Sequence, residues 1–296
     1  MTILINEQEV NFTLEGEEKA LEIYKAINQW LKESKHLIYS FQIDGIETDP
    51  EEQSLWKNKK SSDIEKIEVT ALSEKEYLLT GLLTVAEYIN LLLRAVSQNS
   101  VEVISDLMIE YPSIIKNIPL LIKGNQGLLI SEHMNKIINK SGIKDGKFEE
   151  DFKESFIGEI STISELINNA AKEIEDPKTE LTATLKVVLK LIPEINEISV
   201  LLQTGKDKKA MGLIITLTEL LQKILRIISL FNTDNIIING TSLDIFSSEL
   251  NSILNELAEA FDANDSVLIG DLLEYEISPK LEMLPELVNA INLMEE

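Results

Sequence analysis

Residues 92–108 read LLRAVSQNSVEVISDLM, a leucine-rich helix end, a short polar break and a second apolar helix. Residues 257–273, LAEAFDANDSVLIGDLL, repeat that plan and align with the first stretch without a gap. Ala95 falls on Ala260, Asn99 on Asn264, Ile104 on Ile269, Asp106 on Asp271 and Leu107 on Leu272. Residues 199–215 spell the device a third time. A unit of this kind cannot bury its apolar face alone, so its recurrence predicts a body of stacked helical hairpins.

From residue 74 onward the apolar period stays near 3.6, and helices are expected at 74–97, 100–122, 126–139, 146–174, 177–202, 207–230, 242–261 and 265–293. Asp176-Pro177 is a strong start signal: the carboxylate accepts a backbone hydrogen bond, and proline fills a position that needs no donor. Pro112, Pro119, Pro193, Pro279 and Pro285 fall inside helical patterns, where each removes a ladder bond and is expected to kink or split its helix. Residues 211–230 are apolar over most of their circumference, which predicts a central helix contacted on several sides. Residues 139–147, with Ser141, Gly142, Asp145 and Gly146, form the best internal linker.

Before residue 73 the pattern is different. Thr2 to Asn6, a turn at Glu7 and Gln8, and residues 9–14 predict a β-hairpin. A helix over 16–34 follows, with Ala20, Leu21, Ile23, Tyr24, Ile27, Trp30 and Leu31 on its buried stripe. Residues 37–43 alternate before the Asp44-Gly45 turn, and residues 64–72 supply a last strand with Ile67, Val69 and Ala71 on one face. Hairpin, crossing helix, strand and returning strand is the order of a β-grasp, the ubiquitin-like module. The expected class is α+β, predominantly α: a β-grasp module at 1–72, a first helical lobe at 73–140 and a second at 146–296. Trp56, among polar neighbours, either plugs the small core or anchors a partner.

Composition narrows the function classes. The chain has 296 residues, 44% of them apolar but only 5% aromatic, which suits ridge-and-groove helix packing. Its net charge of -24 and pI near 4.5 repel phosphate backbones and anionic lipid, so nucleic acid is not an expected partner. Eleven carboxylate residues stand against the single Lys280 from residue 251 onward. With no cysteine, disulfides, thiolate nucleophiles and cysteine metal sites are excluded. No signal-like start and no uninterrupted apolar run of the required length is present, so a cytoplasmic protein without membrane insertion is expected. In that compartment Asn239-Gly240-Thr241 and Asn264-Asp265-Ser266 carry no glycan meaning.

Motif by motif, chemistry recedes. Asp262, Asn264 and Ser266 match the first, third and fifth positions of an EF-hand, but Val267 stands where the turn glycine belongs and Leu273 where the bidentate Glu belongs. A turn capped by Asn264 or Asp265 explains them better. Gly205-Lys206 resembles a fragment of a phosphate loop without its upstream glycine or its following hydroxyl. Lys206, Lys208 and Lys209 nonetheless cluster at a helix start, where the macrodipole disfavours each by a few tenths of a kcal/mol. They either pair with nearby carboxylates or contact an anion or partner. His36 and His133 lack metal-ligand spacing. Asp271, Glu274, Tyr275 and Glu276 form a solvated face or a docking face for a basic partner.

Two segments are similar to uncharacterised proteins of motile Gram-positive bacteria and spirochaetes: Ile3-Leu4-Ile5-Asn6 through Ala20-Leu21 and Trp30-Leu31 to Ile43-Asp44-Gly45, and Val267-Leu268-Ile269-Gly270-Asp271-Leu272-Leu273-Glu274-Tyr275-Glu276. The resemblance implies a link to flagellar gene neighbourhoods and transfers no residue role. The expected function is a cofactor-free, non-enzymatic protein-interaction module, a motility-linked chaperone or adaptor that docks a partner helix in Leu/Ile-lined grooves. The expected contact residues are Trp56, Lys206, Lys208, Lys209, Asp271, Glu274, Tyr275 and Glu276. The alternatives are an enzyme that uses carboxylates without a linear motif and a self-associating structural subunit.

Overall fold

A computed structural model of the chain describes residues 1–10, 16–48, 53–122, 124–143, 150–231, 236–263 and 265–292. The class is α+β and predominantly α, with a mixed sheet at the N-terminus followed by a helical body. The chain divides into two compact units, Met1–Leu121 with Ile137–Ile167, and Ile122–Lys136 with Asn168–Glu296.

In the first unit, β1 (Thr2–Ile5), β2 (Gln8–Glu9), β3 (His36–Ile43), β4 (Ile46–Glu47) and β5 (Lys66–Ser73) form a sheet in the order β2-β1-β5-β3-β4. The central pair β1 and β5 is parallel, and the other pairs are antiparallel. Alternation puts Ile3, Ile5, Phe41, Ile43, Ile67, Val69 and Ala71 on one buried face. Helix α1 (Ala20–Glu33) covers that face with Ala20, Ile23, Ile27 and Leu31. The first turn sits one residue earlier than expected, at Asn6 and Glu7, both in the left-handed region. Asn6 also continues the ladder with its side chain, donating to the Ala71 carbonyl at 2.9 Å and accepting from the Ala71 N–H at 2.8 Å. Residues 11–14 of the expected second strand lie outside the described residues.

Two expectations are corrected here. Trp30 does not belong to the buried stripe of α1; it is 45% exposed. Its place, three residues past Ile27 and one before Leu31, falls at the stripe's edge, and the narrower Ile27–Leu31 pair closes the contact with the sheet. In β3 the alternation is broken at Tyr39, which is left unpaired by a register shift between Ile38 and Ser40. That bulge turns Tyr39 outward onto Tyr77, edge to face with centroids 6.3 Å apart.

Helix α2 (Glu74–Ser97) starts at a capping box in which Glu76 N–H donates to Ser73 Oγ and Ser73 N–H donates to the Glu76 carboxylate. Although no uninterrupted apolar run is long enough, α2 does meet the length and composition of a membrane-crossing helix among the described residues. Its Leu78, Leu82, Val85, Ile89, Leu92 and Val96 are buried within this unit. Helix α3 (Val101–Leu121) packs on α2, and Tyr88 Oη donates to the Leu107 carbonyl at 2.7 Å between them. Pro112 and Pro119 do not split α3, which runs through both. Helices α4 (Asn125–Ser141) and α5 (Lys153–Glu175) contribute residues to both units. The expected linker is helical up to Ser141, and its residues 144–147 lie outside the described ones.

The second unit is built around α8 (Asp207–Ile228), which packs against α6 (Pro177–Ile195), α7 (Ile198–Gln203) and α9 (Leu243–Asp262). Its Ala210, Ile214, Leu217, Leu221, Ile224, Ile227 and Ile228 are buried. A two-residue hairpin of β6 (Ile237–Ile238) and β7 (Thr241–Ser242) precedes α9 and was not anticipated from the sequence. Two expected helices are divided. Residues 177–202 break at Asn196 and Glu197 between α6 and α7, just after Pro193 removes a bond from the last turn of α6. Residues 265–293 become α10 (Ser266–Asp271), a π-helical turn (Leu272–Ile277) and α11 (Ser278–Asn292). Pro279 cannot donate to the Tyr275 carbonyl and its ring would strike it; the wider turn, with Ser278 N–H reaching Leu273, makes room.

The repeated device is visible in the backbone. Ser100 N–H donates to Ala95, Lys206 to Leu201 and Asp265 to Ala260, each reaching five residues back at a helix end. Asn99 and Gly205 carry the left-handed φ that this closure needs, with Asn99 N–H reaching Val96 and Gly205 N–H reaching Leu202. The first two are Schellman closures, the third shares their five-residue bond, and in each case the next helix opens at the following residue, its first bond running from Ile104, Ala210 or Ile269 to residue 100, 206 or 265. Asn264 itself lies outside the described residues.

Candidate functional site

The residues singled out from the sequence do not form one constellation. Trp56 follows a short turn (Gln53–Leu55) and is 7% exposed, inside the core of the N-terminal sheet. Its ring meets Tyr24 at 5.7 Å and Phe41 at 5.8 Å between centroids. That is the plug, not the anchor: a ring enclosed by two aromatics offers no face to a partner. The same enclosure pushes the Tyr24 phenol above its ordinary range by burial, with a smaller contribution from Tyr77.

The other seven residues lie in the second unit, around two short helices that touch each other, α7 and α10. Lys206, Lys208 and Lys209 are all exposed where α7 gives way to α8. Lys206 occupies the cap position of α8, and no side chain satisfies the first amides there. Ser100 and Asp265 hold the corresponding place in the sister hairpins, and Asp265 accepts from Val267 and Leu268 N–H at 3.2 and 3.0 Å. A lysine cannot accept, so this start lacks the cap and adds three positive charges to the positive end of a helix.

Asp271, Glu274, Tyr275 and Glu276 are exposed at the end of α10 and along the π turn, while Leu272, Leu273 and Ile277 beneath them are buried. The widened turn turns Tyr275 outward to 64% exposure. On the same two helices Val200 is 59%, Val267 72% and Leu268 42% exposed, although Ile198, Leu201 and Ile269 already anchor the helices inward. This juxtaposition of bare apolar side chains with charges of both signs was not legible from spacing. It follows from α7 meeting α10, residues about seventy apart in sequence.

Elsewhere the most constrained ionisable groups serve the fold. Arg226 forms a two-point bond with Glu173, Nη2 to Oε1 at 3.0 Å and Nε to Oε2 at 3.2 Å, and Glu173 is 5% exposed. Asp44 Oδ1 accepts from the Glu65 and Lys66 N–H groups at 2.9 and 2.8 Å, and Oδ2 from Lys59 Nζ at 2.6 Å. The Lys59 bond, aided by Lys66, holds the Asp44 carboxyl below the usual range. Burial pushes the Tyr88 and Tyr111 phenols upward. His36 Nδ1 lies 2.7 Å from the Ser34 carbonyl. Among the described residues no group of three or more His, Asp or Glu side chains is arranged to hold a metal ion.

No curated protein and no solved structure matches the chain. Two family models do: residues 1–73 match the TP0873 N-terminal domain, TP0873 being a spirochaete protein, and residues 179–287 match a domain of unknown function, DUF8042. The first match, to a domain of a spirochaete protein, coincides with the sheet module, and the second, to a domain of unknown function, with the helical hairpins of the second unit.

Proposed function

We propose that this chain is a non-enzymatic protein-interaction protein of the cytoplasm, a chaperone or adaptor linked to motility, whose N-terminal module is a β-grasp. The single observation that carries the binding role is the exchange of the two tryptophans. Trp56 is buried, and Trp30 stands 45% exposed at the edge of the buried stripe of α1. Exposed tryptophan in a module this small is costly in water and is the residue most often found at the energetic centre of an interface. Ile46 at 70% and Leu55 at 81% exposure add apolar surface to the same module.

What supports the β-grasp reading is the parallel central pair, the strand order β2-β1-β5-β3-β4 and the one helix across the buried face. What supports a motility link is the resemblance of both ends to proteins of motile bacteria; the N-terminal match adds a spirochaete relative. The burial of one face of α2 favours a place in a protein core over a bilayer. Partner helices dock on such a chain through apolar anchors. Cross-linking pull-down from a motile host, with the wild type beside Trp30→Ala, tests the proposal. A motility component should be retained by the wild type and lost by the variant. Recovery of no motility component, or equal recovery by both, overturns it.

A further inference from the structure

We infer that the face formed by α7, the start of α8 and α10 is a contact between two copies of this chain. A chain of net charge -24 repels its copy, so a contact between copies has to lie where that field is locally reversed. Lys206, Lys208 and Lys209 make such a place: three exposed lysines within four residues, none in an ion pair with another described residue, at the positive end of a helix. Fold stability does not ask for them. The sister hairpins put Ser100 and Asp265 where Lys206 stands, and Asp265 caps its helix.

The neighbouring helix carries the opposite sign. Asp271 at the end of α10 and Glu274 and Glu276 on the turn after it are exposed, α10 packs on α7, and on these two helices Val200, Val267 and Leu268 are also exposed, none of them among the buried core residues. A two-fold contact uses one patch twice, so the patch must complement itself. This one does. The lysines of one copy face the carboxylates of the other, the same pairing recurs at the symmetric position, and the apolar side chains meet in the middle, where desolvation strengthens them. No partner chemistry beyond the chain's own residues is needed, which sets this occupant apart from the partner proposed for the N-terminal module.

Sedimentation and light scattering of the full chain test the inference. The wild type should approach twice 33.4 kDa as concentration rises. K206E/K208E/K209E and D271K/E274K/E276K should each dimerise at least about tenfold more weakly, equivalent to roughly 1.4 kcal/mol. Mixed together, these two variants should pair with each other, because both charged contacts become attractive again in the mixed dimer only. Circular dichroism of each variant checks that the helices persist, as exposed positions allow. A wild type that stays monomeric, variants that dimerise like it, or a mixture that gains no mass overturns the inference. None of these results bears on the Trp30 contact, which the pull-down reads separately.

Discussion

Arg226 and Glu173 join α8 to the end of α5, and removing one of them should expose how the interior of the second unit handles charge. Glu173 is 5% exposed and is held by two bonds from one guanidinium, whose side chain keeps 18% of its surface. Breaking a buried pair by deleting one partner costs about 3–5 kcal/mol, because the remaining ion is left without compensation. The residual access of water at Arg226 places Arg226→Met near the lower end, about 3 kcal/mol. Glu173→Met strands a more accessible cation and should cost about 2 kcal/mol. The double variant replaces the pair with apolar side chains and should lie within about 1 kcal/mol of the wild type. Urea unfolding followed by circular dichroism gives all four stabilities, and hydrogen exchange on the α8 amides places the loss. Single losses that sum to the double loss, or an Arg226→Met chain within about 1 kcal/mol of the wild type, would refute the view that these groups compensate each other.

Lys206→Asp gives α8 the side-chain cap it lacks and should stabilise the second unit by about 1 kcal/mol in thermal or urea unfolding, while weakening self-association. Glu7 holds a left-handed φ of 66° next to Asn6 in the first hairpin turn, so Glu7→Gly should stabilise the N-terminal module by about 1 kcal/mol, read from its urea midpoint. The Asp44 carboxyl is held below its ordinary value in the folded chain, so its stabilising bonds are fully present above the unfolded value and are lost as pH falls through the lowered one. Between about pH 5 and pH 2 the wild type should therefore lose more stability than Asp44→Asn, measured as the change in urea midpoint; parallel loss in both would remove Asp44 as the cause.

Much of the architecture could be read from residues because it is local. The 3.6 period located α2 to its first and last residue, since Ser73 and Glu76 box its start and Gln98-Asn99 close its end. Ile67, Val69 and Ala71 alternate without interruption, so their common face was evident. Period alone could not find Tyr39's bulge, which depends on the pairing of β3 with β5, strands separated in the chain by β4 and the connection that carries Trp56. Nor could it decide between the two tryptophans: Trp30 falls on the helical period and Trp56 stands among polar neighbours, yet the width of the α1–sheet contact excludes Trp30 and the core takes Trp56. One miss was avoidable. Asn239-Gly240 lies between Ile237-Ile238 and Thr241, which is the strongest short hairpin signal, with Asn239 and Gly240 both at positive φ. Reading that triplet only as a glycosylation sequence concealed a strand pair.

The three hairpins then bear on why the lysine cluster belongs to function and not to folding. Their turns share the bond that reaches five residues back, so the closure places the same demand on each cap position: an acceptor for the first free amides of the next helix. Asp265 meets that demand with two bonds, and Ser100 has the hydroxyl to do so. Lys206 cannot, and Lys208 and Lys209 aggravate the same helix end. Where local rules agree at two copies of a device and are broken at the third, the broken copy is the place at which another requirement outweighs roughly 1 kcal/mol of stability. In the proposed contact between copies that requirement is an island of positive charge beside bare valine and leucine, set against a negative counterpart on a second molecule.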